Sequence, residues 1–115
     1  MDIMLFHNPR CSKSRATLQL LEDRGHPPEI VRYLDDPPSE ETIRELLSLL
    51  GFAPRELMRK GEAVYTELEL DDPSLSEDQL VRAMHENPIL IERPIVIAEG
   101  QARIGRPPES VLEIL

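Results

Sequence analysis

The first third of the chain alternates between short apolar runs and one helical stretch, and this order constrains the fold most. Residues 2–6 predict a strand with the apolar run 3–6, which Asn8 and Pro9 end, and residues 29–34 predict a second strand, which carries Ile30, Val31 and Tyr33. Between them, residues 12–24 carry leucines at helical spacing, and Gly25 follows where a helix is expected to end. A strand, a helix and another strand in this order predict a βαβ unit, whose strands are parallel.

The rest of the chain predicts a helical middle, a β-hairpin and a final helix. Ser39 is a suitable N-cap for a helix whose apolar stripe is Ile43, Leu46, Leu47 and Leu50. Residues 54–58 predict a short helix, residues 62–73 an irregular acidic connection, and residues 76–87 a helix that opens with a Ser-x-x-Gln capping box. Residues 95–98 and 101–104 predict paired strands, and the segment 105–108 leads into a short C-terminal helix with Val111, Leu112 and Leu115.

This order matches an α/β, thioredoxin-like fold with a mixed sheet. We predict one domain over residues 1–115, with a helical insertion at about residues 39–87. Pro94 stands just before the predicted third strand, where thioredoxin-like folds carry a cis-proline beside the active cysteine.

Composition narrows the range of partners and cofactors. The formal net charge of −9 argues against nucleic acid as a general partner, because phosphate binding requires a basic surface. No apolar run is long enough to cross a membrane, and no signal peptide is evident, so we expect a soluble protein of the reducing cytoplasm. The single cysteine excludes an internal disulfide, and His26 and His85 have no metal-ligand spacing with it, so no metal is expected.

The one cysteine, Cys11, lies between the first predicted strand and the first predicted helix. Arg10, Lys13 and Arg15 are close to it in sequence. A lone cysteine is usually a small buried hydrophobic residue. Nearby cations and a helix N-terminus, however, stabilise a thiolate and lower the pKa of a cysteine. The basic, polar surroundings therefore favour a reactive thiol.

Four segments, in order, resemble the glutaredoxin-dependent arsenate reductases of the ArsC family over essentially the whole chain. The segments are His7-Asn8-Pro9-x-Cys11-x-x-Ser14-Arg15, Leu57-Met58-Arg59-Lys60, Pro88-Ile89-Leu90-Ile91-x-Arg93-Pro94-Ile95-Val96 and Arg106-Pro107. The chain has Cys-x-x-x-Arg instead of the Cys-x5-Arg phosphatase loop, which excludes the phosphatase-like class of arsenate reductases.

The resemblance implies a role for six residues. Cys11 matches the catalytic cysteine, and His7 matches a histidine that influences its ionisation. Ser14 resembles a family serine near the thiolate. The oxyanion would be held by three arginines, which are Arg59, Arg93 and Arg106.

The residue chemistry agrees with such a reaction. Guanidinium groups are planar forks that bind tetrahedral oxyanions in pairs and stay charged at working pH. A Cys11 thiolate could then attack the arsenic of arsenate. Because the chain has no second cysteine, an external thiol must supply the remaining electrons. The resemblance implies glutathione, then glutaredoxin, as partners, with no bound cofactor and with arsenite as the product.

Two other functions stay open on the sequence. One is a monothiol oxidoreductase acting on glutathionylated proteins, in which the arginines would bind glutathione carboxylates. The other is a non-enzymatic regulator resembling the Spx-type relatives, which bind RNA polymerase. The presence of all three arginines argues against the regulator but does not separate the two enzymes.

Overall fold

The computed structural model describes residues 2–115, which divide into two compact units. The first unit contains residues 2–36 together with Arg93–Leu115. The second unit is Pro37–Glu92, and it includes the segment predicted to be a helical insertion. The catalytic cysteine candidate therefore lies in a unit built from both ends of the sequence.

The first unit is a four-stranded mixed sheet with a helix between its first two strands. Its elements are β1 (Ile3–Phe6), α1 (Ser12–Asp23), β2 (Glu29–Val31), β3 (Ile95–Ala98), β4 (Gln101–Ile104) and a 3₁₀ helix over Pro108–Ile114. The strand order is β2-β1-β3-β4. The β1–β2 pair is parallel, and the β1–β3 and β3–β4 pairs are antiparallel. The predicted βαβ unit and hairpin are confirmed.

The strand register brings several loops to one end of the sheet. Phe6, at the end of β1, lies opposite both Val31 of β2 and Ile95 of β3. Ile95 in turn lies opposite Ile104, the last residue of β4. Four loop segments therefore meet at one end of the strands, here called the loop end of the sheet. They are the segments that follow Phe6, Val31 and Ile104 and the segment that precedes Ile95.

The core of the first unit is aliphatic, as the scarcity of aromatic residues predicts. It contains seven buried side chains from both strands and helices, which are Ile3, Leu5, Leu21, Val96, Ala98, Val111 and Ile114. In β1, Ile3 and Leu5 alternate with the less buried Met4, as expected for a strand with one face against a core. Packing of this cluster holds the sheet against α1 and the last helix.

Gly105 allows a close approach at the loop end of the sheet. A Cβ atom at this position would lie 2.5 Å from Thr17 Oγ1 and 2.8 Å from Pro94 Cγ, which is too close for any larger residue. The Gly105 N–H donates a hydrogen bond to the Pro94 carbonyl at 2.9 Å. The peptide bonds Arg93–Pro94 and Arg106–Pro107 are both cis, so Pro94 has the isomer that thioredoxin-like folds carry at this position.

The second unit is helical. Its elements are a 3₁₀ helix over Pro54–Leu57, another over Pro88–Leu90, and the helices α2 (Glu40–Leu50), α3 (Ala63–Glu67) and α4 (Glu77–Glu86). The predicted N-cap of α2 is confirmed, because Ser39 Oγ accepts a hydrogen bond from the Thr42 N–H at 3.1 Å. The capping box of α4 is also confirmed, with Ser76 and Gln79 each accepting from the other's N–H. Helix α2 packs against α4.

Two local predictions were wrong. The second strand has three residues rather than six, because the Arg32 carbonyl accepts the N–H groups of Asp35 and Asp36 at 2.9 Å and turns the chain. The acidic stretch 62–73, predicted to be irregular, contains the short helix α3. The predicted short C-terminal helix is present as a 3₁₀ helix. Within residues 2–115, no helix is both long enough and apolar enough to cross a membrane.

Candidate active site

Asn8 organises the loop that carries Cys11. The Asn8 side-chain oxygen accepts the N–H of Arg10 at 3.0 Å, and its carbonyl accepts the N–H of Cys11 at 3.0 Å. These bonds form an Asx-type turn, for which an asparagine followed by proline is well suited. Cys11 is thereby placed as the N-cap residue of α1, and its carbonyl accepts the first intrahelical bond from Arg15.

Cys11 lies in surroundings that favour a thiolate. The pKa of its thiol is below the ordinary value: burial raises it, but the Ser14 N–H and the Arg93 side chain, with the Lys13 N–H, lower it by more. The two N–H groups belong to the first turn of α1, where helix donors lack intrahelical partners and favour negative charge. Because the side chain is only half-buried, the thiolate remains accessible to a substrate.

Two arginines from the loop end of the sheet converge on Cys11. Arg93 donates a hydrogen bond to the Cys11 sulfur, and Arg106 Nη2 lies 3.8 Å from it. Arg106 Nε donates to the Arg93 carbonyl at 2.7 Å, which fixes the direction of its guanidinium group. Arg93 precedes β3 and Arg106 follows β4, so the antiparallel register of the hairpin explains why they meet.

His7 and Ser14 form a buried hydrogen-bonded pair below the cysteine loop. His7 Nδ1 and Ser14 Oγ are 2.6 Å apart, and Ser14 Oγ also accepts the Asn8 N–H at 3.0 Å. Burial, together with the charges of Arg32 and Arg15, lowers the pKa of His7, so the ring is neutral at pH 7. Ser14 contacts Cys11 through its main-chain N–H, while its hydroxyl is bonded to His7 and Asn8. The Ser14 hydroxyl therefore anchors the cysteine loop through His7 and Asn8.

Arg59 belongs to the second unit and is held by two carboxylates. Its Nε lies 3.2 Å from Glu62 and its Nη1 lies 3.0 Å from Glu92. Burial lowers the pKa of Arg59, but the hydrogen bond to Glu62 and the charge of Glu92 raise it by more. The main-chain N–H of Arg59 donates to the Leu90 carbonyl at 2.7 Å, so the backbone is fixed as well.

The structure thus brings five of the six predicted site residues together in the first unit: His7, Cys11, Ser14, Arg93 and Arg106. Three supporting residues, Asn8, Glu62 and Glu92, were not predicted from the sequence. A signal for Glu62 existed, because an acid three residues after Arg59 is at ion-pairing distance along a turn. Glu92 comes from far along the chain, and no local pattern indicates it. Within the described residues, no cluster of three or more metal-ligating side chains occurs.

Comparison with known proteins identifies the family. Residues 6–114 match the ArsC family. The Escherichia coli protein YfgD, described as uncharacterized, is 58% identical, covering 99% of this chain and 97% of its own. A Neisseria meningitidis protein named arsenate reductase is 50% identical, covering 99% of this chain and 98% of its own.

A solved structure agrees with these matches. The arsenate reductase from Vibrio cholerae is 53% identical, covers 100% of this chain and 98% of its own, and superposes with a TM-score of 0.98. This similarity confirms the predicted thioredoxin-like fold. The chain is therefore a member of the ArsC family.

Proposed function

We propose that this protein is an arsenate reductase that uses glutathione and glutaredoxin as its reductants. The observation that carries the proposal is the convergence of Arg93 and Arg106 on a half-buried Cys11 whose thiol pKa is lowered. Relatives from Neisseria meningitidis and Vibrio cholerae that bear the name arsenate reductase support the choice of substrate.

In the proposed reaction, the Cys11 thiolate attacks the arsenic atom of arsenate. A sulfur–arsenic bond forms, and an oxygen ligand leaves as hydroxide or water. Guanidinium groups suit this step, because they bind tetrahedral oxyanions through paired hydrogen bonds and balance their charge. Arg93 and Arg106 would bind the oxyanion beside the sulfur that they already contact.

A thiol from outside the chain completes the reduction. Glutathione attacks the adduct, and arsenic(V) becomes arsenic(III) as Cys11 and glutathione together give up two electrons and form a mixed disulfide. Arsenite is released, and glutaredoxin reduces the disulfide with further glutathione. This scheme requires an external thiol because Cys11 is the only cysteine of the chain. The same requirement suits a reducing compartment such as the cytoplasm.

The remaining predicted residues have proposed supporting roles. Arg59 is proposed as a third oxyanion ligand, on the strength of the family resemblance. His7 is proposed to act as a neutral partner that keeps the cysteine loop in place through Ser14, since the two side chains are bonded and buried. Neither His7 nor Ser14 is assigned a proton-transfer step.

The test is arsenate-dependent oxidation of NADPH in the presence of glutathione, glutaredoxin and glutathione reductase. We expect turnover by the wild-type protein and none by Cys11→Ser. We also expect Arg93→Ala to raise the KM for arsenate, because an oxyanion ligand is lost. Absence of any arsenate-dependent rate with fully reduced Cys11 would refute the proposal. If the same protein then reduced glutathionylated substrates, the monothiol oxidoreductase alternative would replace it.

A further inference from the structure

A cavity lies at the loop end of the sheet, beside the loop that carries Cys11. It has a volume of about 170 Å³ and lies between the loop after β1 and the turn after β2. Asn8 and Arg10 line it from the first loop, and Arg32, Leu34 and Asp35 from the second. In open α/β sheets, ligands bind in the crevice outside the carboxyl ends of parallel strands, and β1 and β2 are the parallel pair here.

The charge around this cavity is opposite to that of the whole chain. The chain carries a net charge of −9, yet the cavity has two arginines, Arg10 and Arg32, against one carboxylate, Asp35. Arg32 Nε and the Asp35 carboxylate are 3.4 Å apart, and both side chains are mostly exposed. The neighbouring first turn of α1 contains no acidic residue. The cavity therefore offers cations and one anion within a small volume.

We propose that this cavity binds the γ-glutamyl end of glutathione, the thiol that reacts at Cys11. This end carries a carboxylate and an ammonium group on the same carbon. Arg10 and Arg32 would bind a carboxylate of glutathione, and Asp35 would bind the ammonium group beside it. Leu34 would pack against the methylene groups of the ligand. This inference rests on the proposed function, because it names the site where that reaction's external thiol is held.

The cavity and Cys11 are close along the chain, so one glutathione molecule can reach both. Arg10 is the residue immediately before Cys11, and the Asn8 carbonyl is bonded to the Cys11 N–H. The thiol of glutathione belongs to the middle residue of the tripeptide, so about two residue lengths, roughly 7 Å, separate it from the end of the molecule. A glutathione molecule whose end lies in the cavity can thus present its sulfur to a thiolate one residue further along the loop.

The test uses thiol–disulfide exchange, a reaction of Cys11 that needs no arsenate. The Cys11 thiolate attacks one sulfur of glutathione disulfide, a mixed disulfide forms, and a glutathione thiolate leaves. 2-Hydroxyethyl disulfide undergoes the same exchange but has no carboxylate or ammonium group. Comparing the two reagents separates recognition in the cavity from any change in the reactivity of Cys11.

We expect the double variant Arg10→Ala/Arg32→Ala to react with glutathione disulfide about threefold to tenfold more slowly, as for the loss of two exposed ion pairs. Its rate with 2-hydroxyethyl disulfide is expected to equal that of the wild type. Arg44→Ala, which removes an exposed, ion-paired arginine from the second unit, is the matched control and is expected to change neither rate. An unchanged rate with glutathione disulfide, or an equal loss with both reagents, would overturn the inference.

NMR titration with a glutathione derivative measures binding in the cavity without any reaction at Cys11. S-Methylglutathione, which cannot exchange, is expected to shift the amide resonances of Asn8 and Leu34 in the wild-type protein but not in the double variant. Shifts confined to other residues would place the ligand elsewhere and refute the inference. A wild-type protein that shows these effects but no arsenate-dependent NADPH oxidation would refute the proposed function and leave the cavity assignment intact.

Discussion

Ser14→Ala tests whether the Ser14 side chain anchors the cysteine loop. The hydroxyl is fully buried and serves two buried groups, the His7 ring at 2.6 Å and the Asn8 N–H at 3.0 Å. A buried polar group left without its partner costs about 1–3 kcal/mol. For two such groups the sum is about 2–6 kcal/mol, and partial relaxation of the loop around the alanine places the expected loss near the lower end, at about 2–4 kcal/mol.

Urea denaturation measures this loss. With a slope of about 2 kcal/mol per molar urea, the unfolding midpoint of Ser14→Ala is expected to fall by about 1–2 M. Ser48→Ala, an exposed serine of α2, is the control and is expected to stay within about 0.5 kcal/mol of the wild type. The variant keeps the main-chain N–H that faces Cys11, so the pKa of the thiol is expected to stay close to its wild-type value.

Two results would contradict the anchoring role of the Ser14 hydroxyl. One is a free energy of unfolding that is unchanged within about 0.5 kcal/mol. The other is a raised pKa of the Cys11 thiol, which would mean that the hydroxyl acts on the thiolate itself.

Three further predictions concern packing and ionisation at the loop end of the sheet. Gly105→Ala is expected to cost about 1–3 kcal/mol in a denaturation experiment, because its Cβ would overlap α1, whereas Gly61→Ala, with open space around it, is expected to be neutral. The alkylation rate of Cys11 is expected to rise with pH with a midpoint below that of a free thiol, and Arg93→Ala is expected to move this midpoint upward; an unmoved midpoint would contradict the Arg93 contact. His7 is expected to titrate below 6.5 in an NMR experiment, and a midpoint above that value would contradict its burial beside two cations.

Strong local signals explain why most of the fold could be predicted from the sequence. The Ser-x-x-Gln box at Ser76 satisfies helix N–H groups within one turn, so it fixes a helix start with no help from distant residues. Glu99 and Gly100 both adopt positive φ angles, as a tight hairpin turn requires. These features act over a few residues, and the local sequence therefore contains the necessary information.

The errors occurred where tertiary contacts or weak local preferences decide the structure. Ile30 belongs to an edge strand and is 45% exposed. The apolar residues around it therefore do not form the longer strand that the sequence predicted. The five-residue helix α3 buries Tyr65, but no side chain makes an N-cap hydrogen bond at its start, so the local sequence does not predict the helix. Short elements of this kind depend on packing, which a linear pattern does not record.

In the candidate site too, local sequence predicts some features, while others depend on contacts between distant parts of the chain. The position of Cys11 at a helix start could be predicted, because a strand, an Asn-Pro turn and a helix are all local patterns. Its meeting with Arg93 and Arg106 depends on strand register, and only the family resemblance predicted it. The carboxylates around Arg59 could not be predicted as a set, because Glu92 comes from a distant part of the chain.

The most direct test of the central claim is mass spectrometry of the protein after reaction with arsenate and glutathione, with glutaredoxin left out. We expect a single glutathione adduct on Cys11 that forms only when arsenate is present, because the mixed disulfide then has no enzyme to reduce it. Cys11→Ser is expected to show no adduct. An adduct that forms equally without arsenate, or arsenite production with Cys11 absent, would contradict the assignment of Cys11 as the nucleophile of an arsenate reductase.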